Sequence, residues 1–88
     1  MSTTTRKSGI TSTAWTDLGL GPLTVSTTNY IPCFLTTNAG AAATNTDAHV
    51  IGARPGMDRS YIFLYAENVY ARCVEDGNTT EVSVTTES

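Results

Sequence analysis

The side chains able to do chemistry near neutral pH are few: one histidine, His49, and two cysteines, Cys33 and Cys73, in 88 residues. His49 stands in "DAHVIG", two positions after Asp47. An Asp–His pair is the orienting half of a hydrolytic triad, and hydroxyls are abundant in a chain with seventeen Thr and seven Ser. No GxSxG turn or other activating context for a nucleophile accompanies them. His49 therefore reads as a strand-start or surface residue, and no catalytic residue is assigned. The cysteines lie 40 positions apart without a CxxC, and a single histidine leaves a zinc site short of ligands, so no metal is expected. Both sit in apolar runs, where a thiol behaves as a small buried hydrophobe. A disulfide is the alternative if their strands are neighbours. Gly19-Leu20-Gly21-Pro22 is not a phosphate loop, because it lacks the further Gly and Lys and Pro22 removes an amide. It reads as a turn, and no cofactor is expected.

Charge narrows the partners. Net charge is −3 and the isoelectric point about 4.7, with Arg6 and Lys7 the one adjacent basic pair. Nucleic-acid binding needs a basic footprint, so that class is excluded. The N-terminus has no apolar stretch of signal-peptide type. The longest apolar run, 61–66, is far below the ~18 residues that span a bilayer, so no membrane is expected. A chain of this length forms one domain and buries only about 60–65% of its unfolded surface, a thin margin that favours oligomerisation.

The Thr and Ser content argues against helix and for strands and turns. Residues 1–14, with Ile10 and Ala14 as their apolar side chains beyond Met1, read as an extended N-terminal arm, and 15–88 as the folded domain. Within it, short apolar runs alternate with turn chemistry at 19–22, 36–47, 54–58 and 75–78. Strands are expected near 15–18, 23–28, 30–36, 48–53, 60–66, 69–75 and 80–86. The fold class is all-β, a small antiparallel β-sandwich or barrel. Leu23 with Val25, and Val82 with Val84, alternate with polar residues as half-buried strands do. Pro32 cannot donate to a ladder, which places the 30–36 strand at an edge or a bulge.

The stretch "RSYIFLYAENVYARCVE", 59–75, holds most of the aromatic residues. A hairpin turning at Glu67-Asn68 gives one aliphatic face with Ile62, Leu64, Val69, Ala71 and Cys73, expected in the core beside Ile31, Cys33 and Leu35. Glu67 is a poor opening residue for a tight primed turn, which leaves room for a longer loop. The opposite face carries Tyr61, Phe63, Tyr65, Tyr70 and Arg72. Three roles fit it: a second core layer with Trp15, a subunit interface, or a platform for stacking sugars. Aromatic residues and Arg are enriched at interface cores. The interface candidates are accordingly Arg6, Lys7, Ile10, Trp15, Tyr61, Phe63, Tyr65, Tyr70 and Arg72.

The segments "AWTDLGLGPLTV" at 14–25 and "VYARCVEDGNTTEVSV" at 69–84 resemble small virion proteins of tailed bacteriophages. The resemblance rests on Trp15, Asp17, Leu18, Gly19, Gly21 and Pro22, then on Tyr70, Ala71, Arg72, Gly77, Val82 and Val84. It implies a β-rich, non-enzymatic accessory of head, tail or fibre, without cofactor and often trimeric. The expected function is a capsid decoration or cement subunit, assembled onto the virion in the host cytoplasm and bound to the major capsid protein or another virion protein. In that role the N-terminal arm would clamp neighbouring subunits. The alternatives are a tail or fibre component, or a carbohydrate-binding module using the aromatic face of the 60–75 hairpin.

Overall fold

The computed structural model describes residues 3–27, 30–37 and 48–86. Among these residues there are eight strands and no helix: β1 (Thr3–Thr11), β2 (Thr16–Leu20), β3 (Leu23–Ser26), β4 (Cys33–Thr36), β5 (His49–Ile51), β6 (Ser60–Phe63), β7 (Asn68–Cys73) and β8 (Thr79–Thr86). They form two four-stranded sheets, ordered β1-β8-β3-β6 and β2-β7-β4-β5, with every pairing antiparallel. The all-β sandwich is as expected, and each of the seven expected strands is present.

Period-two patterning builds the core. Leu23 and Val25 of β3, Thr80, Val82 and Val84 of β8, Cys33 and Leu35 of β4, and Val69, Ala71 and Cys73 of β7 all point inward and are buried. Ile10, Leu18, Ile51 and Phe63 complete the cluster. Buried hydroxyls are satisfied: Thr80 Oγ1 donates to the Ile31 carbonyl of the opposite layer at 2.7 Å, and Thr27 Oγ1 to Glu81 O at 3.0 Å. Turns fall where the chemistry demands. In Arg54-Pro55-Gly56-Met57 the Met57 amide donates to Arg54 O at 3.1 Å, and Gly56 supplies the positive φ of 85° that a type II turn needs at its third position.

Four expectations are corrected. First, β6 and β7 do not form a hairpin: β6 pairs with β3 in one sheet, and β7 pairs with β2 and β4 in the other. The 64–67 connection crosses between layers, consistent with the poor hairpin chemistry of Glu67. Second, the inward face of β6 is therefore the aromatic one. Phe63 is buried and Tyr61 packs on the core, while Ile62 and Leu64, expected inside, point outward. Ile31 is only half-buried, just outside β4.

Third, β4 lies between β7 and β5 rather than at an edge. Pro32 precedes its first residue, where no donor is needed, and its carbonyl accepts the Val74 amide at 3.1 Å. Fourth, the N-terminal segment is extended as expected but does not stand free. β1 pairs along β8 from Thr3↔Thr86 to Thr11↔Thr79, with a register shift between Lys7 and Ile10. Beyond that shift Ile10 enters the core at 0% exposure.

Candidate functional site

The two sheets meet on one flank at β5 and β6, each an edge strand of its own layer. There the His49 ring stacks on Tyr61, centroids 4.1 Å apart and planes 24° from parallel, and Tyr61 in turn tilts against Phe63 at 4.9 Å. Large rings suit this position because inward side chains at an edge must cover a gap that no further strand fills. Above the stack opens a cleft of about 290 Å³ lined by Thr36, Thr37, His49, Tyr61, Tyr65 and Glu67, among others. Its outer lip is an apolar ridge: Ile62, Leu64 and Tyr65 are 61%, 70% and 74% exposed.

The ridge is held by backbone contacts. The Gly21 amide donates to Glu67 O at 2.9 Å, and the Glu67 amide to Tyr65 O at 2.9 Å. A Cβ on Gly21 would lie inside the van der Waals envelope of the Tyr65 carbonyl oxygen. The "GLGP" turn thus requires glycine for close approach rather than for a ligand. Leu20, within this turn and immediately before Gly21, is also strongly exposed. Among the described residues no strand pairs with the outer edge of β6, so its main-chain donors and acceptors face outward beside the ridge.

The residues singled out from sequence separate into four places. Tyr61, Phe63 and Tyr65 gather at the β5–β6 flank, although Phe63 is a core residue. Trp15, Tyr70 and Arg72 lie on the outer face of the second sheet, where the Arg72 guanidinium sits 4.4 Å over the Trp15 ring. Phe34, half-buried, stands opposite Arg72, and the exposed Val50 opposite Phe34, extending that face as an apolar row. Arg6 and Lys7 lie on β1, and Arg6 reaches Glu81 at 3.4 Å in an exposed ion pair worth little. Ile10 is core. The aromatic residues of 60–75 are therefore divided between layers rather than sharing one face.

The ridge residues Ile62 and Leu64 were missed because a contiguous apolar run, 61–66, carries no alternation from which to read its parity. The available signal was Glu67-Asn68, whose residues do not favour the tight turn that would have put Leu64 inside.

His49 is exposed and engaged by Tyr61, and Asp47 lies outside the described residues. Among the described residues no group of three or more His, Cys, Asp or Glu is placed to hold a metal, and no helix is long and apolar enough to cross a membrane. Both cysteines are buried free thiols. Burial pushes Cys33 up to about 12, and it raises Cys73 too, with nearby Asp76 adding to that rise. No family model, curated protein or solved structure matches the chain.

Proposed function

We propose that this chain is a non-enzymatic virion structural protein, a capsid decoration or cement subunit that binds the shell and bridges neighbouring subunits. The observation that carries the reading is the Ile62–Leu64–Tyr65 ridge beside the unpaired edge of β6. Three large apolar exposures within four positions at a sheet edge are costly in water and prone to association unless a partner covers them. A strand of the shell protein adds to β6 by main-chain hydrogen bonds, while Ile62 and Leu64 anchor it through their side chains. At the far side of the same sheet, β1 offers a second outer edge beside Arg6. Two edges on opposite flanks let one subunit touch two neighbours. A symmetric shell multiplies these modest contacts by avidity, and self-association as a trimer adds to it. The resemblance of 14–25 and 69–84 to small phage virion proteins points to the same class.

The test mixes purified chain with virion shells stripped of small accessory proteins, followed by sedimentation. Wild type should pellet with the shells, and Ile62→Lys/Leu64→Lys should remain soluble while melting at the wild-type temperature. Wild type left in the supernatant, or equal binding by the double variant, overturns the reading.

The cleft favours a second reading, a carbohydrate-binding module, because Tyr61, Tyr65, Glu67 and two threonines converge there. At about 290 Å³ it lies at the lower limit of small-molecule sites, with room for about one sugar ring. Saturable binding to a monosaccharide panel, abolished by Tyr65→Ala, would establish this rival in place of the shell-binding reading.

A further inference from the structure

Cys33 of β4 and Cys73 of β7 are direct cross-strand partners. The class of that pairing follows from its neighbour. Val74 N donates to Pro32 O at 3.1 Å, so Pro32 and Val74 form a hydrogen-bonded pair, lacking only the donor that proline cannot supply. Pair types alternate along an antiparallel ladder, and Cys33↔Cys73 is therefore a non-hydrogen-bonded pair. At such positions the Cα atoms stand about 4.5 Å apart and the side chains approach most closely. A disulfide accepts Cα separations of about 4.4–6.8 Å. Both thiols point to the same inner face, with Cys33 at 0% and Cys73 at 2% exposure. Cys73 Sγ–H is aimed at Glu75 O, 3.5 Å away and two residues past the end of β7.

We propose that Cys33 and Cys73 form an intrachain cross-strand disulfide when the chain folds in an oxidising medium, and that the folded sandwich then holds whichever redox state it was folded in. The oxidant is a small-molecule disulfide such as oxidised glutathione. The thiolate of one cysteine attacks it, forming a mixed disulfide and releasing one glutathione thiolate. The second cysteine attacks the protein sulfur of that mixed disulfide, closing the Cys33–Cys73 bond and releasing the second. The two cysteine protons end on the two glutathione thiols. In the closed domain this exchange stalls, because neither sulfur is within reach of a tripeptide. The raised thiol of Cys33 also leaves almost no thiolate near neutral pH. The exchange therefore belongs to the open chain, before β4 and β7 are covered. The same burial later shields the bond from reductants.

The experiment unfolds the full chain in guanidinium with reductant, removes both, and refolds it in oxidised or in reduced glutathione buffer. Native reduced protein is held in the oxidised buffer in parallel. All samples are then unfolded in iodoacetamide and weighed intact. The oxidised refold should give a monomer 2 Da lighter than the reduced chain with no alkylation. The reduced refold and the native sample should carry two alkyl groups. The oxidised monomer should also melt about 10 °C or more above the reduced form, since the bond closes a loop of about 40 residues. Disulfide-linked dimers, two glutathione adducts, or an oxidised monomer that melts below the reduced one would overturn the cross-strand bond. Native protein that oxidises as fast as the refolding chain would overturn the shielding.

Discussion

If β1 is part of the sandwich, Ile10→Ala is the substitution that reveals it. Ile10 is fully buried among core residues, on a strand whose other side chains are mostly exposed. Truncating a buried Ile to Ala costs about 2–5 kcal/mol, the removed methyl groups plus the cavity they leave. A domain of 88 residues has roughly 4–13 kcal/mol in total, at about 0.05–0.15 kcal/mol per residue. A loss of about 3 kcal/mol is thus a large share, and at about 4–8 °C per kcal/mol lowers the melting temperature by roughly 12–24 °C. The assay is thermal and urea unfolding followed by circular dichroism. Arg6→Ala on the same strand serves as control; its exposed pair with Glu81 is worth under about 1 kcal/mol. Ile10→Ala melting within about 2 °C of wild type would refute the argument and restore residues 1–14 as a free arm. For the same reason, deleting residues 1–12 should unfold or strongly destabilise the domain rather than leave it intact.

The parity of β6 is tested by neighbours. Phe63→Ala should cost about 3–5 kcal/mol, whereas Ile62→Ser should change stability by under about 0.5 kcal/mol as a surface substitution, read from urea midpoints at constant m; the reverse ranking would restore Ile62 to the core. Alkaline unfolding should report Cys33. With its folded value raised from 9.0 to about 12, the protonated thiol contributes stability fully present below pH 9 and lost as pH rises toward 12, on the order of a few kcal/mol. Cys73 faces it across the strand pair, and its thiol is raised too, by burial first and then by nearby Asp76, so its alkaline contribution has the same sign. Cys33→Ala should flatten the urea-midpoint slope between pH 9 and 12, and an unchanged slope would assign the alkaline loss to other groups.

Much of the architecture was readable without coordinates because local chemistry decides it. Arg54-Pro55-Gly56-Met57 is a turn in any context, since proline presets one φ and glycine alone accepts the next at no cost. Leu23/Val25, Val69/Ala71/Cys73 and Val82/Val84 announce half-buried strands, because alternate side chains must face opposite sides of a sheet. Composition determined the fold class in the same way.

What lay beyond the sequence was pairing. β6 finds its partner in β3, nearly 40 residues earlier, and nothing in the unbroken apolar run 61–66 distinguishes that partner from the adjacent β7. Once β6 joins the first sheet, its register turns Tyr61 and Phe63 inward and leaves Ile62 and Leu64 as the ridge on which the functional reading rests. Ile10 is a similar case. Threonine suits an exposed arm and a strand alike, so only the vacant edge of β8 decides that Thr3–Thr11 is a strand and that its single isoleucine is core. The cysteines were visible as two buried thiols; that they are cross-strand partners depends on β4 lying beside β7, a long-range pairing that no spacing encodes. Local propensity acts over a few bonds, whereas sheet order is settled by which distant faces exclude water together.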